Sequence, residues 1–171
     1  DYPRMLGDFC FVAEGLKPDQ FDAVCSMSAL EHFGLGTYKA SGDLAFDPDY
    51  DIKARRQIHR LLKPGGSFYV TVPYGAEFVV NGCDWRKYNK ETLIDRLVGE
   101  FVVEKKEFFK SANCSCRTAY VEGNVEYVDE EEADAYAGEE PHLTVFAKMR
   151  KVLGSGVGSE NGDWRVFAPL Q

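Results

Sequence analysis

Ile58-His59-Arg60-Leu61-Leu62-Lys63-Pro64-Gly65-Gly66-Ser67-Phe68-Tyr69-Val70-Thr71-Val72-Pro73 contains a change of period that decides the fold. From Asp51 to Leu62, Ala54, Ile58, Leu61 and Leu62 fall within about one helical face. Arg55, Arg56, His59 and Arg60 fall mostly outside it, so the spacing predicts an amphipathic helix. Ile52 lies off the stripe and leaves the helix start open. Pro64-Gly65-Gly66 is expected to stop the helix, because proline cannot continue it and glycine accepts the positive φ of a tight exit. Ser67 to Val72 is then rich in β-branched and aromatic residues and is ended by Pro73, which predicts a strand.

Upstream, Phe21-Asp22-Ala23-Val24-Cys25-Ser26-Met27 is a short apolar run behind the turn signal Lys17-Pro18-Asp19-Gln20, and it predicts a buried strand. Strand, helix, tight turn and strand make a βαβ unit, whose helical crossover forces the two strands to be parallel. The fold class is α/β. Downstream, Asn89 is placed to cap a helix through Val98, with Leu93, Ile94, Leu97 and Val98 on one face and Gly99 at its end. Phe101 to Phe109 and His142 to Met149 read as strands that pair with each other. Between them, Asp129-Glu130-Glu131-Glu132 reads as a solvated helix end or loop. Residues 1–150 are expected to form one domain, and 151–171 a flexible tail with its glycines from Gly154 to Gly162.

The chain has 171 residues, with 28 Asp and Glu against 20 Lys and Arg, for a formal charge of −8. With 44% hydrophobic and 28% charged residues, disorder along the whole length is excluded. The acidic balance argues against the basic surface that neutralises phosphates, so no nucleic-acid partner is expected. No stretch approaches the roughly 20 apolar residues of a membrane span. Five scattered cysteines, an odd number, suit reduced thiols in a cytoplasmic compartment better than a disulfide framework. Cys114-Ser115-Cys116 has neither a second cysteine pair nor a paired histidine motif to complete a four-ligand site, and no metal is expected.

Phe21-Asp22-Ala23-Val24, Ala29-Leu30-Glu31-His32, Ile58 to Gly66 and Val70-Thr71-Val72-Pro73, in that order, resemble the second half of a class I S-adenosylmethionine-dependent methyltransferase. The resemblance covers about residues 5 to 109, with a looser extension to Met149. The run from Leu30 to Tyr38, followed by Asp47 to Ala54, is similar to an uncharacterised subgroup that also carries an Asn, an Arg and a Tyr after the Pro-ended strand. Here these are Asn81, Arg86 and Tyr88, with a longer spacing from Asn to Arg. The resemblance implies a Rossmann-like class I methyltransferase fold, its C-terminal half only, with a parallel sheet and a terminal antiparallel strand between its neighbours.

In open α/β sheets the ligand sits beyond the carboxyl ends of the parallel strands, which places the residues after Met27 and Val72 at the crevice. The resemblance implies S-adenosylmethionine as cofactor, with Asp8 accepting from the adenine amino group, Phe9 packing on the ring, and Ser26, Met27, Ser28 and His32 beside it. Glu31, Tyr38, Tyr74, Arg86 and Tyr88 are the candidates for the acceptor side, with a small-molecule or sugar-like acceptor expected. No residue has to be catalytic, because methyl transfer by direct displacement needs positioning more than an acid or base. Plainer readings stay open: Asp8 as a turn residue, Glu31 as a cap, His32 as a satisfied histidine, Tyr38, Trp85 and Tyr88 as core or rim aromatics, and Arg86 paired with Asp84 or Glu91.

The family pattern places a Gly-rich turn and an acidic residue before the position of Asp8, and the sequence supplies neither. The N-terminal half, or a partner chain, is therefore expected to cover the edge of the strand at residues 21–27, and the chain is expected to be inactive without it. The alternative is a methyltransferase-like interaction subunit that has lost cofactor binding.

Overall fold

A computed structural model describes residues 5, 7–36, 46–81, 84–111, 125–138 and 143–152. A short helix α1 (Phe9–Glu14) leads into β1 (Phe21–Met27), and a single 3-10 turn (Leu30–His32) follows it. Then come α2 (Tyr50–Leu61) and β2 (Leu62–Pro73), a small hairpin of β3 (Val79–Asn81) and β4 (Trp85–Lys87), and α3 (Lys90–Thr92). α3 continues as a π-helical segment over Leu93–Val98. β5 (Phe101–Ser111), β6 (Val125–Val128), α4 (Glu130–Ala135) and β7 (Leu143–Lys151) complete the order.

The main sheet runs β1-β2-β7-β5-β6. β1 and β2 are parallel neighbours joined by the α2 crossover, and β7 lies antiparallel between β2 and β5, both as expected. The fold is α/β and Rossmann-like, with a parallel pair and a terminal antiparallel strand. Register sorts the side chains. Val24 sits opposite Phe68 and Ser26 opposite Val70, while Val70 faces Ala147 and Val72 faces Val145. Phe68, Val70, Val72, Leu143, Val145, Ala147 and Met149 are all buried on that face, where Ala54 and Ile58 of α2 and Leu93, Leu97 and Val98 join them in one core. Each such large side chain contributes roughly 1.5–3 kcal/mol on burial. On the opposite face Tyr69 and Phe146 stack with centroids 6.4 Å apart, and Met27 is exposed on β1.

Several details depart from the sequence reading. α2 ends at Leu61 and its cap residue Leu62 is already extended, so the chain enters β2 before Pro64. Phe21 lies opposite Leu62 and Ala23 opposite Ser67, so Lys63-Pro64-Gly65-Gly66 bulges out of the ladder, with Gly65 at φ +79°. The Pro-Gly-Gly stretch thus marks a bulge inside the strand, one step later than a helix stop. Arg55, assigned outside the buried face, is buried, as is Asp51. The expected helix after Asn89 forms, with Asn89 and Thr92 in a capping box. It widens where the Gly99 N–H donates to the Ile94 carbonyl at 2.9 Å. Gly99 has φ +51°, and a Cβ there would lie 1.2 Å from an Arg55 Nη1, so no side chain fits. Asp129 caps α4, in line with the solvated helix end expected for the acidic run. The last strand reaches Lys151, one residue past the boundary expected at 150; His142, Cys114, Cys116 and the tail from residue 153 lie outside the described residues.

Candidate functional site at the carboxyl ends of the parallel strands

β1 ends in strain. Ser28 has φ +44°, a left-handed conformation that costs a non-glycine residue roughly 1–2 kcal/mol. It is held there by Thr71 of β2, because its N–H donates to the Thr71 carbonyl at 3.1 Å and to Thr71 Oγ1 at 3.0 Å. Strain of this kind persists where the surroundings over-determine it, and it gathers at functional sites. The turn sends Leu30 into the core at 0% exposure and carries Glu31 in beside it at 3%.

Glu31 and His32 form the polar centre of this end. Glu31 Oε1 lies 3.7 Å from His32 Nε2, and Glu31 Oε2 is buried with no hydrogen-bond partner among the described residues. Burial, the dominant cause, pushes the Glu31 carboxyl up to about 7, partly offset by its own backbone N–H and by His32. His32 Nδ1 is 2.6 Å from the carbonyl oxygen of Asp84. A carbonyl only accepts, so Nδ1 carries the proton of that bond.

Asp8 and Phe9 come alongside the same turn. The Asp8 side chain caps α1 by accepting from the Phe11 N–H at 3.0 Å, and it also accepts from the Tyr50 hydroxyl. Burial and the Asp8 carboxylate push the Tyr50 hydroxyl far above its ordinary range. Phe9 packs on Phe33 with centroids 6.0 Å apart, and Phe33 meets Tyr50 edge-on at 6.3 Å. The turn-residue reading of Asp8 is thus realised as a helix cap. Both of these bonds end on Asp8 Oδ1.

Three residues assigned to the acceptor side point into the protein instead. Arg86 is fully buried. Its Nη1 donates to the carbonyls of Glu31 (3.3 Å) and Phe33 (2.6 Å), and its Nη2 to those of Asp47 (3.5 Å) and Pro48 (3.0 Å). The guanidinium fork matches carbonyls arriving from two sides, which ties the Glu31 turn to the entry of α2. Neither Asp84 nor Glu91 is its ion-pair partner; its Nε is 3.9 Å from Asp51 Oδ2. Tyr88 is buried with its hydroxyl 2.8 Å from Asp51 Oδ2, and burial first, then Asp51, raises it well above its ordinary range. Tyr74 is buried and donates to Asp134, with the same upward shift from burial and that carboxylate. Arg86 thus braces the Glu31 turn, Tyr88 braces Asp51 of α2, and Tyr74 ties the end of β2 to α4. Tyr38 and Cys83 lie outside the described residues, and Asn81 is exposed at the end of β3.

Asp51, Arg96, Thr71 and Tyr50 were not named as site residues from the sequence, and Asp84 only as a partner for Arg86. Asp51 had one usable signal, since it precedes Ala54 by three residues and Ile58 by seven and so shares their helical face. Gly34 also fits this account. At φ +76°, its missing Cβ would lie 2.3 Å from the Asp47 carbonyl oxygen, so only glycine lets the turn approach α2. Among the described residues no group of His, Cys, Asp or Glu is arranged to hold a metal ion.

Comparison with known proteins adds the following. The family model described as a Caenorhabditis protein of unknown function, DUF268, matches residues 13–94. No curated protein matches the chain. Solved structures similar to it include an S-adenosylmethionine-dependent methyltransferase from Methanosarcina mazei, at 12% identity and TM-score 0.48, covering 83% of this chain and 65% of that one. The 1,6-didemethyltoxoflavin-N1-methyltransferase of Burkholderia thailandensis, solved with S-adenosylhomocysteine, is similar at 18% identity and TM-score 0.46, covering 82% of this chain and 48% of that one. A methyltransferase of Thermotoga maritima, described as a possible histamine N-methyltransferase, is similar at 17% identity and TM-score 0.44, covering 81% and 61%. The chain thus spans between about half and two-thirds of the length of these structures.

Proposed function

We propose that the protein moves a methyl group from S-adenosylmethionine to an oxygen or nitrogen of a small-molecule or sugar-like acceptor. The observation that carries this reading is the sheet ending, with β7 antiparallel between β2 and β5 beside a parallel β1–β2 pair. Repetition of βαβ units generates parallel neighbours only, so an inserted antiparallel last strand is a specific departure. It is the ending implied by the methyltransferase resemblance of the residues from Phe21 to Pro73.

The residues present fit the cofactor. Asp8 spends Oδ1 on Phe11 and Tyr50, and a carboxylate has about four lone-pair sites, so Oδ2 keeps capacity for the exocyclic amine of an adenine. Phe9 offers a ring edge beside it, and Ser26, Met27 and Ser28 present the strained end of β1. The bound cofactor would supply an electrophilic methyl group on a sulfonium. The chain's own part is to hold and orient. Glu31 takes the acceptor side with His32 between it and the cofactor, while Arg86 holds the turn from behind and Tyr88 anchors Asp51 of α2. In the same reading a further strand, from this protein or a partner, pairs with β1, which is the sheet edge and exposes Met27 and Cys25.

Equilibrium dialysis of the full-length native protein against labelled S-adenosylmethionine tests this. Saturable retention that unlabelled S-adenosylhomocysteine displaces is expected. Retention no greater than that of an unrelated acidic protein would remove the proposal.

A further inference from the structure

We propose that Glu31 and His32 work as one proton acceptor at the carboxyl end of β1, taking the proton of an acceptor hydroxyl or amine onto His32 Nε2. The proposal rests on the methyl-transfer reading and deepens it, because it names the acceptor class as one that must lose a proton.

Three observations meet at this pair. Glu31 is 3% exposed, yet Oε2 has no hydrogen-bond partner among the described residues. A buried acceptor left without a partner is costly, so a structural role alone does not account for it. The Asp84 carbonyl, 2.6 Å from Nδ1, places the ring proton on that nitrogen and so leaves the lone pair on Nε2, the atom 3.7 Å from Glu31 Oε1. The His32 side chain is 20% exposed, so a ligand at the strand ends can reach the ring while the carboxyl behind it stays dry.

The step balances simply. The O–H or N–H bond of the acceptor breaks, its electron pair stays on the acceptor atom, and the proton bonds to the Nε2 lone pair. The resulting imidazolium is compensated by the Glu31 carboxylate. Burial holds that carboxyl up at about 7. Among the described residues, charged groups facing it include Asp84, with Oδ1 4.0 Å from Nδ1, and Arg86, whose Nη1 is on the Glu31 carbonyl. From α2, Asp51 is engaged with Arg86 and Arg96.

The experiment is an NMR titration of the full-length native protein labelled with 15N-histidine and 13C-carboxyl glutamate, from about pH 5 to about pH 9. The chain has three histidines, and His32→Gln assigns the one that matters. Expected are the Nδ1–H tautomer for His32 at high pH and a Glu31 carboxyl that titrates near 7. In a folded Glu31→Gln the change in the His32 ring signals that accompanies the Glu31 transition should disappear, because the carboxyl beside the ring is gone. An Nε2–H tautomer, or His32 ring signals that respond to pH in the same way in a folded Glu31→Gln, overturns the pair. Should that variant not fold, a Glu31 carboxyl titrating near its ordinary 4.5 in the unsubstituted protein overturns it as well. Binding of S-adenosylhomocysteine to the unsubstituted protein is measured separately. Its absence overturns the transferase reading and the use made of the proton, whereas a failed titration overturns the pair alone.

Discussion

Asp51 and Arg96 meet in a two-point contact, with Arg96 Nε 2.8 Å from Asp51 Oδ2 and Nη2 2.7 Å from Oδ1. Asp51 is fully buried and also accepts from Tyr88, with Arg86 Nε 3.9 Å away. One carboxylate therefore joins α2, the π-helical segment and the strand that reaches the Glu31 turn. Asp51 also holds Arg96 above its ordinary range, chiefly by these hydrogen bonds.

Asp51→Asn should destabilise the protein by about 3–5 kcal/mol, the usual result of removing one partner from a buried pair. Urea unfolding followed by circular dichroism checks it. A midpoint unchanged within error would mean that Asp51 is not the joint described here.

Arg86→Lys should fail to rescue what Arg86→Met loses, since a single ammonium cannot serve carbonyls at Glu31, Phe33, Asp47 and Pro48 at once. Each carbonyl left unsatisfied costs roughly 1–3 kcal/mol. Both variants should lower the unfolding midpoint. Full stability in the lysine variant would contradict the role assigned to the guanidinium.

These two predictions concern residues that periodicity sorts badly. The strand at Phe21–Met27 was legible as a short apolar run, although at the sheet edge none of its residues has the burial expected. The strand around Phe68 was legible from its β-branched and aromatic residues, and that around Val145 from alternation. So was the α2 stripe of Ala54 and Ile58. Asp51 and Arg55 share that stripe's buried side, and a reading that sends charges outward misplaces both. The β3–β4 hairpin pairs only Val79 to Asn81 with Trp85 to Lys87, too few residues to show alternation. Tyr74, Arg86 and Tyr88 were legible as important, but their direction depends on partners distant in sequence, Asp134, Phe33 and Asp51. For Ser28 and Glu31 the position at the strand ends was legible and the strain and the orphaned oxygen were not, while Asp8 was placed by resemblance alone and by position only as a turn residue.

The raised Glu31 carboxyl has a consequence for stability. Its folded value of about 7 exceeds its ordinary 4.5, so between these values the folded protein binds more protons than the unfolded chain. Stability contributed by the protonated group is fully present below 4.5 and is lost as pH rises through 7. Glu31→Gln should flatten that fall. Parallel pH profiles of unfolding free energy for the two proteins would contradict it.

Asp8→Ala should cost about 1 kcal/mol of stability through the lost α1 cap and weaken S-adenosylhomocysteine binding by roughly 1–3 kcal/mol. Asp8→Asn keeps a capping oxygen and should recover the stability. Thermal unfolding and calorimetry on the same preparations separate the two effects. Loss of stability with unchanged affinity would leave Asp8 as a cap only.

Isothermal calorimetry of the full-length native protein with S-adenosylhomocysteine tests the central claim most directly. The account predicts one site, with a dissociation constant tighter than about 1 mM, equivalent to at least about 4 kcal/mol of binding free energy, and weaker binding in Asp8→Ala. A folded protein that gives no binding heat at that concentration, and no protection against thermal unfolding by the ligand, would contradict it.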